Sequence, residues 1–326
     1  MPLPLDNTLK IGIQTIHRRT EPASEPWRPT VDELATLVEL VDDCGYDSLW
    51  VGDHLAFAVS ILDPLLQLAQ AAVVSPRLTL GTNVYLLPLR HPGPVAKQVA
   101  SLDHLCEGRL IFGVGVGGEF PKEFAVAGVP RGERGARLSA AIPLLRQLWS
   151  GEPVSYAGKY FGAFDDVAMQ PPARQPGGPP IWCGGRADAV LARAGRLADG
   201  WISYVVTPEQ YRAALNKIEA AAEGRAIARF GTGHLLFVRL DASYEMALDT
   251  AAASLSQRYA MDFRRAAERY AALGTPEQVA ARIRDFHAAG ARHVVIDLVG
   301  PYEERPRQIE GFARDVLPLL ADLRDG

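Results

Sequence analysis

The chain has 326 residues, 48% of them hydrophobic and 22% charged, with a formal net charge of -4. That is apolar material for one large domain or two ordinary ones, and the absence of a Lys/Arg block argues against nucleic acid as a partner. No apolar run reaches the ~18 residues of a membrane span, and Met1-Pro2-Leu3-Pro4-Leu5-Asp6 lacks the order of a signal peptide.

Lys10 to Ile16 reads as strand one, followed by a polar loop from His17 to Pro29. Thr30 with Glu33 predicts a capping box, and helix one runs to about Cys44, with Leu34, Leu37, Val38 and Val41 on one face and Gly45 stopping it. Strand two is the stretch Asp47 to His54. Its apolar centre Leu49-Trp50-Val51 has the character of a strand buried on both faces. Helix two covers Pro64 to Val74, strand three Leu78 to Leu86, helix three about Pro94 to Cys106, and strand four Arg109 to Val116.

A long Gly/Pro loop then leads to a helix from about Gly132 to Trp149. The segment from Pro153 to Pro180 breaks the rhythm and reads as an inserted hairpin plus loop. Strand five is Pro180 to Cys183, with a helix from Ala187 to Leu197. Strand six is Gly200 to Val206, with a helix from Pro208 to about Glu223, and strand seven is His234 to Leu240. Two or three helices lie between Ser243 and Ala289, broken at Gly274-Thr275-Pro276. Strand eight is His293 to Val299, and the last helix ends near Leu323.

Eight strand-then-helix units predict an α/β fold of the closed (β/α)8 type, a TIM barrel. Its insertions fall after strand four and before strand five, and between strands seven and eight. Residues 1-326 are read as one domain, with 153-180 inserted. An open doubly wound sheet is the second choice.

Chemistry in such a barrel sits at the C-terminal ends of the strands. Those ends carry Gln14 and His17, Asp53 and His54, Thr82 and Asn83, Gly115 to Glu119, Gly184 to Arg186, Ser203 and Tyr204, and Asp297. A histidine there can exchange a proton near neutral pH, and Asp53 could orient a neighbour or bind a ligand amide. The competing reading is a capping Asp and a loop His. The other histidines show no ligand spacing, so no metal is expected, and the three separated cysteines (Cys44, Cys106, Cys183) suit a reducing cytoplasm. Gly113-Val114-Gly115-Val116-Gly117-Gly118 satisfies G-x-G-x-x-G, but after strand four rather than strand one. It reads as a backbone able to lie against a flat ring, or as turn glycines at a rim, with Glu119 pointing toward the same mouth. Gly184-Gly185-Arg186, opening a helix, suits a phosphate; a plain glycine turn is the alternative. Trp50, Trp182 and Trp201 read as core.

Taken together, Gly45 to His54, Leu80-Gly81-Thr82-Asn83-Val84 with His91-Pro92, Gly108 to Gly118, Trp149-Ser150-Gly151, Pro179 to Trp182 and Ala198 to Trp201 resemble the bacterial-luciferase-like superfamily over about residues 8 to 320. The resemblance implies a barrel that binds reduced FMN or the deazaflavin coenzyme F420, and the Asp-His pair is most similar to the F420 branch. It implies His54 as catalytic base or proton relay and Asp53 against the deazaflavin, and Glu119 is read beside them as a second acid/base or cofactor contact. It further implies a non-prolyl cis peptide at Asn83-Val84 behind the ring and the phosphate at Gly184, Gly185 and Arg186, while Thr82, Gly115, Val116 and Gly117 are read from their strand-end places as cofactor contacts. The sugar-phosphate dehydrogenases of that branch carry a tryptophan shortly after the pair, where this chain has Leu55-Ala56-Phe57-Ala58. The expected activity is an F420-dependent oxidoreductase moving a hydride to or from a small organic substrate. A reduced-FMN, oxygen-using monooxygenase is the first alternative and a non-catalytic flavin-binding barrel the second. A cytoplasmic homodimer is expected, paired through helices two and three with Leu65, Leu68 and Leu102 as possible contacts, and without a membrane partner.

Overall fold

The computed structural model describes residues 2–14, 30–57, 61–118, 120–225 and 229–324. Its first half contains β1 (Lys10–Gln14), α1 (Val31–Asp43), β2 (Ser48–Val51), α2 (Pro64–Val74), β3 (Thr79–Thr82), α3 (Pro92–Leu105), β4 (Leu110–Val114), α4 (Pro121–Val126) and α5 (Arg134–Trp149). A hairpin of β5 (Val154–Gly158) and β6 (Gly162–Val167) follows, then β7 (Ile181–Gly184), α6 (Asp188–Leu197), β8 (Gly200–Tyr204) and α7 (Pro208–Ala221). The remainder is β9 (Gly231–Leu240), α8 (Tyr244–Tyr259), α9 (Arg264–Tyr270), β10 (Ala272–Gly274), α10 (Pro276–Ala289), β11 (His293–Leu298), α11 (Arg305–Asp315) and α12 (Ala321–Arg324).

Strands β1, β2, β3, β4, β7, β8, β9 and β11 pair in that order, all in parallel, and β11 pairs back onto β1, closing an eight-stranded barrel. The expected (β/α)8 architecture is therefore the observed one. β5 and β6 form the expected antiparallel hairpin outside it.

Two elements depart from the expectation. The short β10 pairs with the far end of β9 (Leu273 with Arg239), beyond the part of β9 that pairs with β8. Three residues between two helices are too few to show a strand period. The Gly/Pro loop after β4 contains α4, a six-residue helix with Pro121 at its start. Its missing N–H makes proline a helix starter as readily as a loop residue.

The barrel floor is set by two large rings. Trp50 from β2 and Trp182 from β7 are buried inside, 5.5 Å apart, with Ile202 and Val295 beside them. Their volume requires the facing strands to carry no side chain. A Cβ at Gly81 would overlap the Trp50 ring, and one at Gly12 would stand 2.8 Å from Trp50 Nε1. A Cβ at Gly200 or Gly231 would overlap Trp182, and one at Gly233 would stand 2.8 Å from Trp182 Cζ3. Trp50 Nε1 donates to Ser48 Oγ (2.8 Å), and Ser48 Oγ lies 2.7 Å from His293 Nε2. Burial, with a smaller push from Lys10, lowers His293 to about 3, so the floor carries no charge. With the floor filled, the open space lies above it, at the C-terminal ends of the strands.

Candidate active site

A cavity of about 340 Å³ opens above Trp50 and Trp182. This lies at the lower end of the range for small-molecule sites. Its walls include Asp53, His54, Asn83, Val84, Gly115, Val116, Gly117, Gly184, Gly185 and Arg186. These ten meet at one mouth, together with Gln14, Gly118, Ser203, Tyr204 and Asp297 from the strand ends singled out in the sequence. Thr82 does not line it. Its fully buried hydroxyl donates to the Gly113 carbonyl (2.7 Å) and so ties β3 to β4. Glu119 and His17 lie outside the described residues.

His54 sits just past β2 because Gly52 ends the strand's apolar run. Its Nδ1 is 3.2 Å from Glu123 Oε1, with the histidine side chain 16% exposed and the glutamate 1%. Glu123 comes from α4. The same carboxylate accepts from the backbone N–H groups of Leu55 (2.7 Å) and Ala56 (3.3 Å). Burial pushes Glu123 upward in pKa, but His54 and the two amides outweigh it and hold the carboxyl below its ordinary value. An ionised acceptor at Nδ1 fixes the ring and leaves Nε2 for exchange with a ligand. Phe57 stacks on the imidazole at 3.9 Å and 10°, and Phe120 meets it edge-on at 5.7 Å. Sequence reasoning missed Glu123. The available signal was Pro121 followed by an acid at the third helical position, a helix-start pattern.

Asp53 is occupied from behind. Arg90 grips it through both terminal guanidinium nitrogens, Nη1 on Oδ2 and Nη2 at 2.9 Å from Oδ1, and the Leu86 N–H donates to Oδ2 (2.8 Å). Burial works against the Arg90 charge, yet Asp53 outweighs it and raises the guanidinium above its ordinary value. Asp53 is thus first a brace for the β3 loop. Across the mouth, Asp297 at the end of β11 holds Arg258 from α8 in the same way, at 2.6 Å from Nη1.

The Asn83–Val84 peptide is cis, as the resemblance implied. Asn83 Nδ2 donates to Gln14 Oε1 (3.2 Å), and Gln14 Nε2 donates back to the Asn83 carbonyl (3.4 Å). The Val84 side chain then takes up the space that two glycines leave. A Cβ at either Gly115 or Gly184 would overlap its methyl groups. These two glycines therefore make room for Val84 as well as lining the cavity. Gly117, Gly118 and Gly185 do need their glycine, at φ of 60°, 120° and 128°.

Beyond Gly185 the backbone enters α6, whose first turn has no side-chain cap. Such a helix start presents unsatisfied N–H groups and a positive dipole end. Arg186 donates to the Val205 carbonyl (2.9 Å), and its guanidinium lies 5.4 Å from the Tyr204 ring. One of its five donors is used by that bond. The site thus offers an anion-accepting end at α6, an apolar back at Val84 and, at His54, an imidazole held by a buried carboxylate. A phosphorylated planar cofactor fits that donor set. Among the described residues no group of three or more His, Cys, Asp or Glu could hold a metal ion.

Comparison with known proteins agrees with this geometry. A family model described as luciferase-like monooxygenase matches residues 10–293. An F420-dependent glucose-6-phosphate dehydrogenase of Nakamurella multipartita is 29% identical over 327 aligned positions, covering 89% of this chain and 93% of the relative. A 4-hydroxyprotoasukamycin monooxygenase of Streptomyces nodosus subsp. asukaensis is 32% identical over 241 positions, covering 70% and 63%. Among solved structures, monooxygenase RslO1 of Streptomyces bottropensis superposes with a TM-score of 0.83 at 26% identity, covering 95% of this chain and 99% of that one. The chain belongs to the luciferase-like monooxygenase family.

Proposed function

We propose that this chain is a coenzyme F420-dependent oxidoreductase acting on a small organic substrate, with His54 as its proton relay. When bound, the deazaflavin gives or takes the hydride. The chain's own groups do the rest. The start of α6 with Gly184, Gly185 and Arg186 would hold the phosphate, and Val84, Val116 and Gly117 would face the ring. His54, held by Glu123, exchanges a proton with the substrate oxygen through Nε2. Glu119 is proposed as a second acid or base at the same mouth. The observation that carries the reading is a cavity-lining histidine whose Nδ1 meets a buried carboxylate. The preference for F420 is supported by the F420-dependent relative that spans most of both chains.

A reduced-FMN monooxygenase is the second reading, favoured by the 32% identical monooxygenase relative and by RslO1. Both cofactors offer a phosphate and a flat ring to the same groups. We also propose one domain over 1-326, a cytoplasmic setting for the free thiols, and a homodimer. Leu65, Leu68 and Leu102 are buried in the core and give no dimer surface, whereas Leu66 and Val73 on α2 and Leu105 on α3 are exposed. Among the described residues no helix is long and apolar enough to cross a membrane.

Kinetics of His54→Ala test the relay. Removing a general acid–base group is expected to lower turnover by about 10²–10⁴-fold while cofactor binding is retained. Near-normal turnover with bound cofactor would contradict it.

A further inference from the structure

Glu123 reaches His54 from a well-anchored base. After α4 the chain returns to Gly118, where Arg131 Nη2 donates to the carbonyl (2.6 Å). Phe124, next to Glu123, is buried with Leu86, Leu89 and Val129 in a cluster of their own. The two carboxylate oxygens of Glu123 differ in their duties. Oε1 accepts from both backbone N–H groups, Leu55 at 2.7 Å and Ala56 at 3.3 Å, whereas Oε2 faces His54 Nδ1 at 3.3 Å. An ionised carboxylate can only accept hydrogen bonds, so the nitrogen facing it carries a proton. Phe57 stacks on the imidazole at 3.9 Å and 10°. That stack fixes the plane of the ring but is the same for either tautomer, so it leaves the choice to Glu123.

We infer, resting on the assignment of His54 as proton relay above, that Glu123 is a positioning residue that sets the tautomer of His54, with the proton on Nδ1 and the lone pair on Nε2. The neutral ring then enters the reaction as a base. A proton taken from a ligand forms the new N–H bond at Nε2, and the resulting imidazolium keeps its charge-assisted bond to Glu123, which itself stays ionised. Although burial pushes the Glu123 carboxyl upward, His54 and the two amides hold it below its ordinary value, as this role requires.

Glu123→Gln separates this role from mere anchoring of the loop. Backbone N–H groups only donate, so the glutamine oxygen must take the place of Oε1 and keep the Leu55 and Ala56 bonds. The amide nitrogen then takes the place of Oε2 and donates to Nδ1, which drives the ring proton to Nε2. Nitrogen-15 NMR of the histidine-labelled full chain reads this directly, at a pH where the ring is neutral. The His54 signals are identified by their loss in His54→Ala. In the unaltered protein the Nδ1–H tautomer is expected in at least roughly tenfold excess, a ratio within reach of one hydrogen bond to a charged group. In Glu123→Gln the two nitrogens are expected to exchange their shifts. A proton on Nε2 in the unaltered protein, or an unchanged tautomer in a folded Glu123→Gln, would overturn the inference. Should the variant not fold, the unaltered protein decides alone. The spectra need neither cofactor nor substrate. Near-normal turnover of His54→Ala would therefore overturn the proposed function and leave the tautomer standing, so the two failures are distinguishable.

Discussion

The barrel floor and the cavity rim are built on opposite principles. At the floor, shape decides: two tryptophans fill the interior, and glycines on four neighbouring strands leave them room. Charge is absent there, and burial keeps His293 neutral. At the rim, charge decides: Asp53, Glu123 and Asp297 each stand on a partner drawn from a different segment. A filled floor can be rigid without specific polar bonds, because close packing alone resists movement. A wet mouth cannot, and it uses ion pairs to hold side chains in place.

The comparison can be broken first at the rim. Arg90→Ala leaves the buried Asp53 carboxylate without its counter-ion, and the expected loss is about 3–5 kcal/mol, read from the urea midpoint. An unchanged midpoint would mean that Asp53 is not held by charge. At the floor, Gly231→Ala drives a methyl into the Trp182 ring, and overpacking of this kind costs about 1–3 kcal/mol. A neutral outcome would mean that the two rings can shift, and shape would then not be what fixes the floor.

The third effect vanishes at neutral pH and shows only as a slope of stability against pH. His293 and His234 are both buried and pushed down to about 3 from an ordinary 6.5, chiefly by burial. Between those values the unfolded chain binds a proton at each site that the folded chain refuses. Stability therefore rises with pH through that window and reaches its full value above it. His293→Gln is expected to remove about one proton from the slope of stability against pH, measured by denaturation across the window. An unaltered slope would place a charge in the floor.

Local and distant features differed in how much of them could be read from the sequence. The eight barrel strands, among them the one that leads into Asp53-His54, and the hairpin before β7 were legible because each rests on short-range pattern. The cis Asn83–Val84 bond came from resemblance rather than pattern. What stayed hidden depends on partners distant in sequence. Arg90 lies 37 positions from Asp53 and Glu123 lies 69 from His54. Gly115 and Gly184 line the cavity as their strand-end places suggest, but nothing local reveals that Val84 also fills the space of their missing side chains. Thr82 looked like a cofactor contact by its place at a strand end, yet its hydroxyl turns to the neighbouring strand.

The central claim is that the mouth is a deazaflavin site. Separate fluorescence titrations of the purified protein with coenzyme F420 and with FMN test it most directly. Saturable binding of F420, tighter than that of FMN and weakened in Arg186→Ala, is the expected result. Tight binding of FMN with none of F420 would contradict the account.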